Sequence, residues 1–145
     1  MNVGKAFEQC FRDSCPKDVF LLRLKDTQWG KNPCDFISYK KPIMHLLELK
    51  TTKGKSLPFK NIAPHQLESL NRVWEVEGVE GYFIINFRGV NETYAVDGRR
   101  MYKYFHDTSH GRQSYPLDWV RENGIKLKQT KKRTRYRYEY TFIRE

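Results

Sequence analysis

Two short strands joined by a proline turn are predicted by one stretch of the sequence, Asp35-Phe36-Ile37-Ser38-Tyr39-Lys40-Lys41-Pro42-Ile43-Met44-His45-Leu46-Leu47-Glu48-Leu49-Lys50-Thr51. Runs rich in apolar residues flank Lys40-Lys41-Pro42, which is typical of a tight connection. We therefore expect a strand over residues 35–39, a second strand over residues 43–51, and antiparallel pairing between them. The main predicted functional residues lie on or next to this hairpin.

Two charged residues interrupt the second strand, in the segment Leu46-Leu47-Glu48-Leu49-Lys50. Residues two apart in a strand point to the same face, so Glu48 and Lys50 project together. Leu47 and Leu49 project into the opposite, buried layer. Charged groups in an apolar strand are costly unless something compensates them, and a bound metal ion and a phosphate would do so.

The hairpin also places Asp35 and Glu48 near the same end of the ladder, with Lys50 beside them. Two carboxylates suit a hard divalent cation such as Mg²⁺, which retains several waters. We expect Mn²⁺ to substitute for it, and the backbone carbonyl of Leu49 to add a ligand. Such a site supports phosphodiester hydrolysis, with Lys50 orienting or deprotonating the attacking water and offsetting transition-state charge. The alternative is an ordinary surface Glu/Lys pair, because the spacing D-x(12)-E-x-K is loose.

The remaining pattern predicts an α/β domain with a central mixed sheet, occupying residues 1–145 as a single unit. Hydrophobic spacing and turn residues predict helices at 2–13, 64–78, 99–105 and 117–122, strands at 19–24, 82–87 and 92–96, and a turn at 27–33.

Positive charge is concentrated at the end of the chain. The formal net charge is +10, and residues 126–145 hold eight basic and two acidic residues, which is +6 of that total. A field of this sign attracts polyanions, of which nucleic acid is the commonest. A solvated charged face and a disordered basic tail are the alternatives.

The order of residues within this basic region argues against a disordered tail beyond residue 133. Aromatic residues alternate with charged ones, which predicts a strand over residues 133–142 with one face on the core. We expect Thr134, Tyr136, Tyr138, Tyr140 and Phe142 on the inner face. We expect an outward row of Arg133, Arg135 and Arg137 that contacts phosphates and positions DNA without reading bases.

Several classes of protein are not supported by the composition. No run of about 18 apolar residues suggests a membrane span, and the first residues lack the apolar core of a signal peptide, so we expect a cytoplasmic protein. Three cysteines, Cys10, Cys15 and Cys34, have no paired spacing and are expected to be free thiols. A zinc site using His106, His110 and two of the cysteines is disfavoured, because the spacing does not match a zinc knuckle.

Several short motifs carry a likeness to a known family: Asp35-Phe36-Ile37, Leu47-Glu48-Leu49-Lys50-Thr51-Thr52-Lys53, Ser56-Leu57-Pro58-Phe59, Asn61-Ile62, His65-Gln66-Leu67 and, near the N-terminus, Gly4-Lys5-Ala6-Phe7-Glu8. This text resembles the PD-(D/E)XK nuclease superfamily and, more closely, the RecU-type Holliday junction resolvases, including short versions carried by bacteriophages. The likeness runs from about residue 35 to 73, weakens over 81–87, and does not continue after 98.

The resemblance implies a restriction-endonuclease-like mixed sheet flanked by helices, working as a homodimer on branched DNA. It implies that Asp35 and Glu48 bind Mg²⁺, that Lys50 is the catalytic lysine, that Glu8 approaches the metal from the first helix, and that Gln66 faces the site. The set predicted to contact DNA comprises Thr51 or Thr52, Lys53, Lys55, Lys60, His65, Arg72 and the three C-terminal arginines, Arg133, Arg135 and Arg137.

The chain departs from the resembled family at two places. Pro33 stands where members often carry a threonine two residues before the aspartate, so any role of that hydroxyl is absent here. The segment between Glu8 and Asp35 is also shorter than the one that forms a stalk through the junction centre in bacterial members. Metal-dependent cleavage is therefore better supported than junction selectivity.

Three functions follow from the sequence. The first is a Mg²⁺-dependent endonuclease that resolves Holliday junctions by paired nicks, in recombination or replication. The second keeps the nuclease chemistry but acts on flaps, forks or duplex DNA. The third is a non-catalytic DNA-binding module that uses the basic C-terminal region.

Overall fold

The computed structural model describes residues 2–25 and 31–144 of the chain. The predicted turn at 27–33 falls mostly outside the described residues. Within them, the helices are α1 (Val3–Asp13), α2 (Pro64–Arg72), α3 (Gly98–His106) and α4 (Leu117–Asn123). The strands are β1 (Phe20–Arg23), β2 (Phe36–Lys40), β3 (Ile43–Thr52), β4 (Ser56–Pro58), β5 (Val79–Phe87), β6 (Glu92–Asp97), β7 (Ser114–Pro116), β8 (Ile125–Leu127), β9 (Gln129–Lys132) and β10 (Arg135–Tyr138).

A six-stranded mixed sheet organises the molecule, in the order β1-β2-β3-β5-β6-β8. The central pair, β3 and β5, is parallel, and the other neighbours are antiparallel. The parallel pair is connected through α2, which is the usual crossover arrangement for parallel strands. The predicted α/β architecture with a mixed sheet flanked by helices is confirmed.

The predicted hairpin is present as β2 and β3. Its register pairs Phe36 with Leu47 and Lys40 with Ile43, and a cis peptide bond lies between Lys41 and Pro42 at the turn. The first strand starts one residue later than expected, so that Asp35 immediately precedes it. Asp35 nevertheless continues the ladder, because its backbone N–H donates to the Leu47 carbonyl at 3.0 Å.

Apolar residues are buried on both faces of the sheet. The face covered by α2, α3 and α4 has a core that includes Leu70, Phe83 and Met101. The other face is covered by α1 and the C-terminal segment, with Phe11 stacked on Tyr140 at a centroid distance of 4.5 Å and Phe142 fully buried. Successive strand residues alternate between these two layers, which fixes the face to which each β3 side chain points.

Close backbone contact holds α2 against the sheet and against α3. A Cβ at Gly81 would lie 2.6 Å from the Leu70 carbonyl oxygen, and a Cβ at Gly98 would overlap the same oxygen. Residues with side chains cannot occupy these positions without moving α2. Both glycines therefore set the height of α2 above the sheet.

The C-terminal region differs from the single strand predicted over 133–142. It forms a hairpin in which β9 pairs with β10 and Arg133 occupies the turn with φ 60°. The strand ends at Tyr138, yet Tyr140 and Phe142 remain buried beyond it. The inward alternation was therefore correct from Tyr136 onward, since Tyr136 is half-buried against the core. The predicted strand boundaries were wrong, because the left-handed residue Arg133 breaks the extended backbone.

Candidate active site

Asp35 is fixed at the end of β2 by the neighbouring strand. Its Oδ2 accepts a hydrogen bond from the Leu49 N–H at 2.8 Å, so the side chain takes the place of the next backbone acceptor in the ladder. Burial raises the pKa of Asp35, and this outweighs the opposing effect of the Leu49 hydrogen bond. The carboxyl group is thus rigidly held in an environment that disfavours its charge.

Glu48 and Lys50 meet on the sheet face that carries α2, as their spacing predicted. Lys50 Nζ lies 3.0 Å from Glu48 Oε2, and only 2% of Glu48 is exposed. Burial, and then the nearby charge of Asp35, raise the pKa of Glu48 to about 8 although Lys50 acts in the opposite direction. Its other oxygen, Oε1, is buried and has no hydrogen-bond partner among the residues that the structure describes. An unpaired buried carboxylate oxygen is costly, and a bound cation would satisfy it.

Arg23 is a member of this site that our sequence interpretation missed. It comes from β1, and its Nε and Nη2 contact the two carboxylate oxygens of Glu8 at 3.1 and 3.2 Å. The same Nη2 lies 3.6 Å from Asp35 Oδ1. The signal was present in the sequence, because Arg23 is the one charged residue in the apolar run 19–24. Glu48 and Lys50 interrupt the apolar run of their own strand in the same way.

The predicted role of Glu8 as a metal ligand stays a prediction. Glu8 does approach Asp35, whose pKa its charge helps to raise. Each of its two oxygens accepts one hydrogen bond from the Arg23 guanidinium and keeps a further lone pair. Bidentate arginine–carboxylate pairs are the stronger kind of ion pair, so Arg23 holds Glu8 firmly beside Asp35.

The donor set fits a magnesium-type ion. Within residues 2–25 and 31–144 no group of three or more His, Cys, Asp or Glu side chains converges as a metal site. Mg²⁺ is commonly held by one or two carboxylates with water completing its shell, and Asp35 and Glu48 provide that number. A cation between the two acids would offset the burial that raises both pKa values, and it would give Glu48 Oε1 the partner that the described residues do not supply.

The disfavoured zinc site finds no support. Both ring nitrogens of His110 are engaged, one with the Tyr104 carbonyl at 2.9 Å and the other with the Arg112 N–H at 2.9 Å. The ring also stacks on Tyr104 at 4.0 Å. The three cysteines are free thiols, as expected.

Gln66 lies in the first turn of α2, the helix that packs over the Glu48 face. Its Oε1 is a second buried acceptor, and residues 2–25 and 31–144 provide no hydrogen-bond partner for it. Two other residues of α2, His65 and Arg72, line a groove of about 510 Å³ that also includes Pro33. Arg72 forms an exposed ion pair with Glu68 at 3.1 Å. Their proposed roles stay predictions.

The two threonines predicted as alternative DNA contacts have different surroundings. Thr52 is nearly buried, and its hydroxyl donates to the Ser56 carbonyl at 3.0 Å, so it holds the following loop. Thr51 points to the other sheet face and accepts a hydrogen bond from Arg88 at 3.0 Å. Of these two threonines, only Thr51 contacts a partly exposed cationic side chain among the described residues, that of Arg88. The three lysines of the set are exposed: Lys53, Lys55 and Lys60.

The C-terminal arginines are exposed, as expected of an outward row. Arg135 lies in β10 and forms an ion pair with Asp13 of α1 at 3.3 Å. Arg137 follows two residues later on the same strand face, and Arg133 lies at the turn rather than in the strand. Thr134, expected on the inner face, is exposed because it belongs to the same turn.

A family model described as "Recombination protein U" (RecU) matches residues 27–140 of the chain. The chain belongs to the RecU family. This matched segment contains Asp35, Glu48, Lys50 and Gln66, whereas Glu8 and Arg23 lie before it. The predicted carboxylates Asp35 and Glu48 and the predicted lysine Lys50 thus lie within the segment that the family model matches.

Curated relatives agree with this membership. Proteins named Holliday junction resolvase RecU from Streptococcus pneumoniae serotype 19F strain G54 and from strain R6 are each 32% identical over 82 residues. The matched segment is 56% of this chain and 40% of each relative, so the chain spans well under two thirds of their length.

A solved structure shows the same fold. The Holliday junction resolvase Hjc from Archaeoglobus fulgidus superposes with a TM-score of 0.54 at 13% identity, covering 75% of this chain and 83% of that one. At such low identity the likeness concerns the fold.

In the part of the chain that the structure describes, no helix is long and apolar enough to cross a membrane.

Proposed function

We propose that this RecU-family chain is a Mg²⁺-dependent endonuclease that resolves Holliday junctions by paired nicks. The observation that carries the proposal is Glu48, a buried carboxylate beside Asp35 and Lys50, whose Oε1 finds no hydrogen-bond partner among the described residues. The names of the relatives support four-way junctions as the substrate.

Asp35 and Glu48 would hold the cation, with the Leu49 carbonyl as an added ligand and Mn²⁺ as a substitute. The bound ion lowers the pKa of water and stabilises charge on the phosphate. The chain's own contribution is positioning: the Leu49 N–H fixes Asp35, and Arg23 fixes Glu8. Lys50 Nζ, anchored at 3.0 Å from Glu48, would orient the attacking water and offset negative charge in the transition state.

DNA would be held by exposed cations on either side of this site. Lys53, Lys55 and Lys60 follow β3, and the arginines of the β9–β10 hairpin add a second basic surface. We further propose that two copies act together, because a two-fold dimer matches the two-fold related strands of a junction. The setting would be recombination or replication in the cytoplasm of a bacterium or of a phage-infected cell.

A cleavage assay tests the proposal. Four-way junction, flap, fork and duplex DNA are matched in sequence and incubated with the protein in Mg²⁺ or in EDTA. We expect symmetric nicks in the junction with Mg²⁺ only. Faster cutting of flaps, forks or duplex would show that the chain is a nuclease with a different substrate from the one proposed. Junction binding without any product would assign the chain as a non-catalytic DNA-binding module.

A further inference from the structure

A second cavity lies on the sheet face opposite Glu48. It has a volume of about 280 Å³ and is enclosed by α1, the β5–β6 connection and the β9–β10 hairpin. Arg88 is the charged residue among the described residues that line it, and none of those residues is acidic. An anion can therefore approach this cavity without meeting a carboxylate.

A chain of hydrogen bonds forms the polar side of the cavity. Arg88 donates to the Thr51 hydroxyl at 3.0 Å, and Thr51 donates to Asn86 Oδ1 at 3.0 Å. Asn86 Nδ2 donates to Thr93 at 2.9 Å, and the Thr93 hydroxyl donates to Gln129 Oε1 at 2.6 Å. Thr93 is fully buried and Asn86 is 6% exposed, so the network is rigidly seated in the sheet.

Two side-chain amides that line the cavity have their oxygens engaged by other residues. Gln129 Oε1 is occupied by Thr93, and Asn91 Oδ1 accepts from the Tyr136 hydroxyl at 2.9 Å. The amide NH₂ groups of Gln129 and Asn91 have no hydrogen-bond partner within the described residues. Together with the remaining N–H groups of Arg88 they give a surplus of donors. The complementary ligand carries carbonyl, ring-nitrogen or phosphate acceptors.

The opposite wall of the cavity is apolar. It is formed by one face of α1, with Val3, Ala6, Phe7 and Cys10, and Val3 is 53% exposed. A flat ring can pack against this wall while its edge meets the amide donors. The volume falls just below the roughly 300–1,000 Å³ typical of sites for drug-sized ligands, which suits a smaller group such as one nucleobase.

We propose that this cavity takes up one unstacked nucleotide of the DNA substrate, an inference that rests on the proposed action on DNA. The base enters between α1 and the amide donors, and its phosphates meet Arg88 and the basic hairpin. Proteins that read an extruded base combine edge hydrogen bonds with apolar packing in this way. Thr51 directly follows Lys50 in β3 and bonds to Asn86 and Arg88, so the hydrogen-bond network connects the cavity to the strand of the proposed catalytic lysine.

Two variants alter the cavity in different ways. Ala6→Leu fills it from an exposed helix position and leaves the polar network intact. Gln129→Leu removes a donor at nearly constant size. Gln9→Leu is the matched control, because Gln9 is on α1 but does not line the cavity. Ala6→Leu keeps the test valid if loss of Gln129 from the buried network impairs folding.

The probe is a set of four-way junctions with 2-aminopurine at successive positions around the crossover, bound in EDTA. Unstacking raises 2-aminopurine fluorescence, and we expect a several-fold rise at one or two positions with wild-type protein and with Gln9→Leu. Ala6→Leu and Gln129→Leu should remove at least half of that rise. A flat signal at every position on a bound junction, or a rise that persists in both cavity variants, would overturn the proposal.

Two further measurements distinguish a free nucleotide from a nucleotide of the DNA substrate, and failure of the cavity proposal from failure of the nuclease proposal. Titration with each 5′-mononucleotide, followed by NMR, tests for a free nucleotide, and binding there with flat 2-aminopurine signals would overturn the DNA-borne site. Cleavage of the same junctions in Mg²⁺ distinguishes the two proposals. Cutting with flat fluorescence refutes the cavity alone, whereas a fluorescence rise without cutting supports the cavity and refutes the nuclease.

Discussion

Glu48 is the residue at which burial and charge conflict most clearly in this molecule. It lies in an apolar strand, with one oxygen 3.0 Å from Lys50 Nζ and the other without a partner in the part of the chain that the structure describes. Its position two residues from Lys50 could be predicted from strand periodicity alone. Its depth of burial could not, because that depends on α2 packing above β3, at a height set by Gly81 and Gly98.

Replacing Glu48 by glutamine should change how stability depends on pH in the metal-free protein. The pKa of Glu48 is about 8 in the folded chain against an ordinary 4.5, so the unfolded carboxyl loses its proton first and stability falls as pH rises through this window. Glu48→Gln removes that loss. Denaturant unfolding in EDTA should show that the free energy of unfolding of the variant rises relative to that of the wild type from pH 5 to pH 8, by up to about 4 kcal/mol. A difference that does not change with pH would contradict the assigned burial of the charge.

Arg23 links Glu8 and Asp35, and this link was not predicted. The isolated charge in the β1 run was visible in the sequence, but its partners depend on how α1 crosses the sheet. The guanidinium neutralises the outer side of the site, where two carboxylates would otherwise repel each other. Arg23 is therefore a positioning residue for Asp35.

Arg23→Gln should destabilise the protein most when no divalent cation is present. In EDTA we expect a loss of about 1–3 kcal/mol, because two partly buried carboxylates lose their shared cation. Part of this loss should be recovered in Mg²⁺, measured as the shift in melting temperature. Arg12→Gln is the control, since Arg12 also lies over Phe36, at 5.9 Å, but is exposed and forms no ion pair with Glu8, Asp35 or Glu48 in the described part of the chain. Equal losses for both variants, or no effect of Mg²⁺, would count against the assignment.

At the scale of elements, the β9–β10 hairpin carries the basic surface. The alternation of aromatic and charged residues predicted its exposed and buried sides. The turn itself was not predicted, because Arg133 adopts φ 60° at a position where glycine or asparagine would have been the recognisable signal. The hairpin packs on α1 through Phe7 and Tyr138, with ring centroids 5.5 Å apart.

Loss of the three hairpin arginines should weaken DNA binding and reduce its salt dependence. Each phosphate contact contributes about 0.9 to the slope of log K against log salt, so Arg133→Gln, Arg135→Gln and Arg137→Gln together should lower the slope by about 1 to 3. Fluorescence anisotropy in EDTA measures it. The charge-matched control replaces Arg100, Lys103 and Arg112 on the α3 side, and an equal loss of slope there would show that only total charge matters.

The position of α2 depends on two glycines rather than on its own sequence. A Cβ at Gly98 overlaps the Leu70 carbonyl oxygen, so Gly98→Ala must push α2 or α3 aside. Chemical denaturation should show a loss of about 1–3 kcal/mol, the usual cost of overpacking. Gly54→Ala is the control, because nothing lies within 4 Å of its added Cβ, and it should be nearly neutral. Equal stability of both variants would contradict the close approach.

At the scale of the whole molecule, the mixed sheet separates two polar regions. One face carries Glu48 and Lys50 under α2, and the other carries the Arg88–Thr51 network beside the basic hairpin. The motif and the family could be found from residues 35–73, since local spacing encodes them. The second face could not, because α1, the β5–β6 connection and the hairpin are far apart in the chain and meet only on folding.

The central claim is that Asp35, Glu48 and Lys50 form a metal-dependent cleavage site. Its most direct test is the single-turnover rate of four-way junction cleavage against Mg²⁺ concentration, for wild type and Glu48→Gln at saturating protein. We predict that the variant binds the junction with unchanged affinity in EDTA and cleaves at least about 100-fold more slowly at every Mg²⁺ concentration. Cleavage by Glu48→Gln at the wild-type rate would contradict the account.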